Sequence, residues 1–440
     1  MNTLTPGAER PTLALPDEGF KRLDALPACW QWKTESNAAP PQALMLIPRE
    51  INANTALQWA RQNIAMVWLC DFQNAKQLLV ALQKRLEPRP SKKPAQPTGS
   101  DTLASTAQAF QVQRLHRSQQ LNLLNKLLIP VRVDYTIGLN RAPAVQDALS
   151  AVWGPSAAVP PADALPLEQT PLMLLSLKEL LGYIGAHEWR KKGLPIRALM
   201  KDPSPQFGTH EPEREAPRIH AHYGVFAPVR GEYLELVKTA PLPSALQTHS
   251  SAQDVGVGTG VLSAILLSRG IERVIATDTQ ERALLCAADN FQRLGLTDRV
   301  QLLHTSLFAD ETSALIVCNP PWLPGKARSP LERAVFDPES AMLKGFLNGL
   351  SAHLTAHGEG WLIMSDLAER LGLRAPGELA HWIEAAGLEV VGRLQAPATH
   401  PKSADTHDAF YQARHREITS LWRLQSRAGA PPPHPHVQSF

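Results

Sequence analysis

The chain has 440 residues, 44% hydrophobic and 19% charged, with a formal net charge of +3, which is the balance of an ordinary globular protein and long enough for two domains. It has no run of about 18 apolar residues to span a membrane and no apolar leader within residues 1–21. The small Lys and Arg excess lies in the first 240 residues and is too slight to specify a nucleic-acid partner. Cys29, Cys70, Cys286 and Cys318 stand far apart without a CxxC pair, which argues against a zinc site or disulfide framework and suits a reducing cytoplasm.

Residues 1–217 read as a mixed, mainly helical N-terminal region. Residues 64–70 (IAMVWLC) form a short apolar run that suits a buried strand. Apolar residues at three-to-four spacing predict helices over 75–86 and 102–128. Pro-, Lys- and Ser-rich stretches at 87–100 and 201–217 read as linkers. No catalytic motif precedes residue 218, which leaves substrate recognition as the role for this half. The polar cluster from His187 to Lys192 reads as a solvated helix end, with contact to a phosphate backbone or an acidic partner as the alternative. His220 and His222 lack a third ligand, so no metal is expected.

The rhythm changes after residue 218. β-type runs at 273–278, 300–305, 314–318, 360–365, 388–394 and 417–424 alternate with helical stretches over 280–294 and about 340–355. Such alternation predicts an α/β fold with a doubly wound, largely parallel sheet, which binds ligands at the carboxyl ends of its strands. The catalytic domain is therefore placed at 218–424. Residues 425–440, rich in Pro, lack the apolar content to pack and are expected to be disordered.

Three motifs fall at those strand ends. The first is Asp254-Val-Gly256-Val-Gly258-Thr259-Gly260, followed by an apolar helical run. Alternate glycines let the backbone turn sharply and leave space for a ligand, and the following helix offers free N–H groups. The spacing is GxGxG, not the GxGxxG of dinucleotide sites, and no Lys-Ser/Thr pair follows to make a P-loop. The second is Asp278, which ends a strand about 20 residues later and is placed to accept hydrogen bonds from both hydroxyls of a ribose. Taken alone, an Asp there would be a helix cap. The third is Asn319-Pro320-Pro321-Trp322, directly after an apolar strand. Its prolines stiffen the loop and aim the Asn319 side-chain oxygen and the Pro320 carbonyl at a flat NH2 group. Trp322 offers a face on which a base or amide plane can stack.

Residues 218–424 resemble the class I methyltransferases with an N/D-P-P-aromatic motif. Within these they are most similar to the release-factor glutamine N5-methyltransferases, the HemK group. The segment from Phe226 through Pro228 and Arg230 to Glu232 stands where that group carries F-x-P-R-x-E. The segment Val335-Phe336-Asp337-Pro338 matches its acidic-Pro stretch. The resemblance implies a seven-stranded, Rossmann-like sheet and S-adenosyl-L-methionine as cofactor. It implies that Asp254, Gly256, Gly258, Thr259 and Gly260 line the cofactor loop, that Asp278 holds the ribose, and that Ser306 stands where an acid commonly reads the adenine. Asn319 would serve both cofactor and acceptor, and Pro320, Pro321 and Trp322 the acceptor. The residues before the glycines are polar where the group has an apolar first strand, and residues 1–217 differ from the group's small helical domain. The expected activity is methyl transfer to a planar NH2 group. A glutamine side chain of a release factor or ribosomal protein is the leading acceptor, and an adenine or guanine amino group of RNA or DNA is the alternative. A catalytically silent binding scaffold is the third reading, and three intact motifs count against it.

Overall fold

The computed structural model describes residues 20–22, 30–36, 40–41, 43–87, 103–156, 171–200, 216–399 and 401–427. Most of both linker stretches and of the Pro-rich tail therefore lie outside the described residues. By compactness the chain divides into residues 1–92 with 115–184, and residues 93–114 with 185–440.

The first unit holds a six-stranded sheet. Its strands are β1 (Phe20–Arg22), β2 (Trp30–Lys33), β3 (Ala43–Ile47), β4 (Ile64–Trp68), β5 (Leu127–Arg132) and β6 (Leu172–Ser176), in the order β1-β3-β4-β5-β6-β2. The run at 64–68 is the buried strand its composition suggested, with β3 and β5 parallel to it on either side. Strand content here exceeds what the helical periodicity suggested. The helix expected over 102–128 ends at Leu124, and β5 follows after two residues. A short, doubly buried strand and a helix turn give the same apolar run, and Pro130 cannot continue a helix. The helix expected over 75–86 spans Phe72–Leu86, capped by Asp71 through the backbone N–H groups of Gln73 and Asn74.

In the second unit β7 (Leu194–Pro195) and β8 (Arg218–Ile219) form a short antiparallel ladder. The main sheet follows: β9 (Ser251–Val255), β10 (Arg273–Asp278), β11 (Val300–His304), β12 (Ser313–Cys318), β15 (Leu354–Ser365), β16 (Leu388–Pro397) and β17 (Ile418–Ser426). A two-residue pair, β13 (Leu323–Pro324) and β14 (Phe336–Asp337), stands apart from it. The order is β11-β10-β9-β12-β15-β17-β16, parallel except for β17, which runs antiparallel to both neighbours. This is the doubly wound α/β sheet predicted from the alternating runs.

Two apolar layers cover it. One joins the helices Gly231–Thr239, Val261–Ser268 and Glu281–Leu294 through Leu234, Leu262, Ile265 and Phe291. The other joins the helices Ala341–His353 and Glu378–Ala385 through Phe346, Leu350 and Leu379. Strand order reverses at β9, whose chain leaves toward β10 on one side while β12 lies on the other. The crevice beyond the carboxyl ends of β9 and β12 is therefore the topological switch point.

The polar first strand is regular. Gln253 is fully buried, but its amide oxygen accepts from the Ala309 backbone N–H at 3.0 Å and its nitrogen donates to the Glu311 carbonyl at 2.5 Å. A buried amide satisfied at both ends is tolerated in a core strand, and this one ties down the loop after β11.

Candidate active site

The ladders bring three segments level. Val255 pairs with Thr277 of β10 and with Cys318 of β12. The next residues, Gly256, Asp278 and Asn319, thus stand at the same height: Gly256 and Asn319 follow the ends of β9 and β12, and Asp278 is the last residue of β10, still paired with His304. With strands about 4.8 Å apart, the Asp278 and Asn319 backbones flank the glycine turn at a separation of about 10 Å.

The turn depends on its glycines for two reasons. Gly256, Gly258 and Gly260 all take positive φ, at 78°, 53° and 80°, which L side chains adopt only with strain. A Cβ on Gly260 would sit 2.6 Å from the Phe291 ring, and one on Gly256 would sit 2.9 Å from the Met342 methyl. Gly258 differs: a Cβ there would meet only the Gly256 carbonyl oxygen, at 4.0 Å, so the backbone borders open space. Gly260 then opens the helix Val261–Ser268. Thr259 is buried, and its carbonyl accepts from the Asn290 amide at 3.0 Å. The same amide oxygen takes the His220 backbone N–H at 2.7 Å.

Two carboxylates bracket the turn. Asp254 is 1% exposed; its Oδ2 accepts from the Ser263 backbone N–H at 3.0 Å and from the Ser263 hydroxyl at 2.6 Å. Its Oδ1 is buried with no protein partner. Burial pushes this carboxyl up to about 7, with the nearby Asp278 charge adding to the rise and the Ser263 bonds opposing it. An unpartnered carboxylate oxygen in that setting suits a positively charged ligand. Asp278 accepts from the Gly258 N–H at 3.1 Å and from the Gln280 N–H at 2.9 Å, one on each oxygen. A carboxylate accepts at about four positions, so each oxygen retains capacity for a further donor. Burial raises the Asp278 pKa, opposed by those N–H bonds.

Ser306 is exposed on the turn after β11. That turn is pinned by the Thr277 hydroxyl, which donates to the Leu307 carbonyl, and by Gln253. Leu307 takes φ 59° to make it.

In the Asn-Pro-Pro-Trp loop, Pro320 is buried and the other three residues are half-buried. The Asn319 oxygen accepts from the Trp322 indole N–H at 2.9 Å. The ring expected to be open for stacking lies under the Arg230 guanidinium, 4.5 Å from its centroid. Arg230 is held in turn by Glu232 at 2.6 Å, Glu417 at 2.9 Å and the Thr419 hydroxyl at 3.3 Å.

Beyond the loop, Asp337 accepts the backbone N–H groups of Met342 and Leu343, both at 3.1 Å, and so caps the helix Ala341–His353. Glu339 and Ser340 take φ of 55° and 56° to set this helix start against Gly256.

Several participants carried no sequence signal. Glu417 lies 187 residues from Arg230, a distance no local pattern bridges. Arg374 is 4% exposed and donates weakly to the Trp322 carbonyl and the Ser340 hydroxyl, at 3.5 and 3.4 Å. The segment at 103–114, N-terminal in sequence, packs in this unit. Phe110 joins Leu323, Phe336 and Phe410 in one apolar cluster. The Arg114 guanidinium lies 3.6 Å from the Phe336 ring centroid and donates to the Lys326 carbonyl at 3.0 Å. The segment after the Asn-Pro-Pro-Trp loop is thus braced from the first half of the sequence. The His187–Lys192 cluster ends the helix Leu177–Lys192, where Arg190 and His222 share Asp289, at 2.7 and 3.0 Å. Among the described residues no group of three or more His, Cys, Asp or Glu is arranged to hold a metal ion, and no helix is long and apolar enough to cross a membrane.

Residues 218–366 match the family model of the methyltransferase small domain. Release factor glutamine methyltransferase of Cereibacter sphaeroides is 32% identical over 162 residues, covering 34% of this chain and 56% of that protein. Ribosomal protein L11 methyltransferase of Sorangium cellulosum is 29% identical over 143 residues, covering 30% and 44%. The chain thus spans about half the length of the curated relatives it matches. The solved structure of ribosomal protein L11 methylase from Lactobacillus delbrueckii subsp. bulgaricus aligns with 52% of this chain and 92% of that one, at 17% identity and a TM-score of 0.33.

Proposed function

We propose that this chain is an S-adenosyl-L-methionine-dependent N-methyltransferase acting on the side-chain amide of a protein glutamine. The observation that carries the reading is the level placement of Gly256, Asp278 and Asn319 at the carboxyl ends of β9, β10 and β12 at the switch point. The residues present fit the cofactor. The open backbone at Gly258 leaves room beside the turn, Asp278 has acceptor capacity for a ribose, and the unpartnered Asp254 Oδ1 suits the α-ammonium of the cofactor's amino-acid moiety. When bound, the cofactor supplies an electrophilic methyl on a sulfonium centre.

The chain's own residues supply orientation. Asn319 Oδ1 gives one lone pair to the Trp322 indole and keeps the other for an acceptor N–H, while the Pro320 carbonyl takes the second N–H. Holding both hydrogens turns the nitrogen lone pair toward the methyl and favours the pyramidal nitrogen of the transition state. As the N–C bond forms and the methyl–sulfur bond breaks, the positive charge passes from sulfur to nitrogen and leaves as an N–H proton released to solvent, so no acid is required, and near-attack placement supplies roughly several kcal/mol. The glutamine reading draws on the Phe226–Glu232 and Val335–Pro338 segments and on the relative named as a release factor glutamine methyltransferase, while the relative named for ribosomal protein L11 supports a protein acceptor. Residues 1–217 are assigned acceptor recognition.

The test incubates purified protein and methyl-labelled cofactor with extract from cells lacking the protein, then digests parallel samples with protease or nuclease. Label released by protease is the expected result. Label released by nuclease moves the acceptor to a nucleobase amino group, and failure to bind the cofactor refutes the whole reading.

A further inference from the structure

Trp322 lies three residues from Asn319 across two prolines, and its indole N–H donates to the Asn319 side-chain oxygen at 2.9 Å. An Asn amide can present either its oxygen or its nitrogen in a given direction. A donor aimed at it removes that ambiguity, because the flipped amide would set N–H against N–H. Phe has no donor, and the Tyr hydroxyl sits at the far end of its ring. Among the aromatic residues, only Trp at this position fixes the Asn319 amide through the ring itself.

The ring is fixed in turn. Arg230 covers one face at 4.5 Å and is clamped by two buried carboxylates, Glu232 at 6% and Glu417 at 0% exposure. The Ser365 hydroxyl donates to Glu417 at 2.5 Å and the Thr399 hydroxyl to Glu232 at 3.0 Å. These groups come from the carboxyl ends of β15 and β16, the start of β17, and the first turn and N-cap of the helix Gly231–Thr239. They tie the sheet's carboxyl edge to the Trp322 ring, and through it to Asn319.

Resting on the methyl-transfer reading above, we propose that Trp322 and Arg230 are positioning residues. The Trp322 indole N–H locks the Asn319 oxygen toward the acceptor nitrogen, and Arg230 locks the Trp322 ring, rather than the ring serving as a stacking platform on that face.

The experiment has two readouts on the full chain. In the label-transfer assay with extract, Trp322→Phe should lower the single-turnover rate at saturating cofactor by about ten- to a hundredfold, as misplacement of an attacking group does. The cofactor Kd should stay within about twofold. Trp322→Tyr should behave like Trp322→Phe, since it also lacks the N–H. A wild-type rate in Trp322→Phe overturns the inference.

The second readout needs no acceptor. With 15N-indole-labelled protein, the resonance lost in Trp322→Phe identifies Trp322, and it should shift upfield in Asn319→Ala and broaden in Arg230→Lys. A Trp322 resonance unmoved by Asn319→Ala overturns the inference whatever the activity. Wild-type protein that binds no cofactor or transfers no label overturns the function reading, and positioning for methyl transfer with it. The spectrum separates that failure from a missing hydrogen bond.

Discussion

Asp254 makes a quantitative prediction about pH. Its carboxyl is held at about 7, against an ordinary value of 3.8, because it is buried and one oxygen has no partner. The folded chain therefore holds this proton more tightly than the unfolded chain does. Its contribution is undiminished below about pH 4, declines by about 1.4 kcal/mol per pH unit between about 4 and 7, and levels off above 7 after a loss of about 4 kcal/mol. Asp254→Asn keeps an acceptor for Ser263 but cannot titrate, so subtracting its stability removes the groups that titrate independently of Asp254 in the same range. The difference between wild type and Asp254→Asn, from urea unfolding at matched ionic strength, should change by about 3 kcal/mol between pH 4.5 and 7.5. The wild type loses ground as pH rises. A cationic ligand beside Oδ1 favours the ionised form, so S-adenosyl-L-methionine should raise the wild-type Tm more at pH 7.5 than at pH 4.5. Parallel pH curves for the two proteins would refute the argument.

Four further outcomes follow from the same geometry. Asn319→Ala should reduce turnover by at least about a hundredfold while cofactor Kd, measured calorimetrically, stays within a few-fold; a collapse of cofactor affinity would move Asn319 from acceptor to cofactor binding. Gly258→Ala puts a side chain at φ 53° and should cost about 1 kcal/mol of stability, with no clash added because its Cβ meets only a carbonyl oxygen at 4.0 Å, yet weaken cofactor binding by about tenfold or more. Gly260→Ala drives its Cβ onto the Phe291 ring and should cost about 2–3 kcal/mol of stability in urea titration. Arg230→Ala leaves two buried carboxylates facing each other without their cation and should lower stability by about 3–5 kcal/mol in urea titration.

Where the sequence was legible, the chemistry was local. The strands ending in Asp278 and Cys318 are apolar runs closed by a polar residue. The glycines between Asp254 and the helix Val261–Ser268 announce a turn that only positive φ can make. The register that sets Gly256, Asp278 and Asn319 level follows once β9 is flanked by β10 and β12. Other features were not legible because they are pairings across long stretches of chain. Gln253 made β9 look polar because its partners, Ala309 and Glu311, lie more than fifty residues on. The strands β3, β5 and β6 are short runs buried on both faces, which carry no period to separate them from helix turns. Trp322 was legible as an aromatic beside the acceptor loop. Its engagement was not, because Arg230 and Glu417 reach it only through the fold.

The buried polar groups of the second unit concentrate at one edge of the sheet. Asp254, Asp337, Glu232, Glu417, Thr419 and Ser365 are all under 7% exposed, and all lie at or beside the carboxyl ends of β9, β14 and β15, at the amino end of the antiparallel β17, or on the helix packed against them. The opposite layers are built from Leu, Ile, Val and Phe, which would hold the sheet without them. Burying carboxylates with incomplete partnering lowers stability, so a fold shaped by stability alone would place apolar residues there. Three of these groups perform structural work that apolar residues can imitate only in part: Asp337 caps a helix, and Glu232 with Glu417 seats an arginine. Asp254 Oδ1 is different, since its lack of a protein partner has no structural return. A carboxyl oxygen left unpaired at the switch point, beside a glycine turn that opens onto space, makes sense as half of an interaction whose other half is a cation that ionises the carboxyl as it binds.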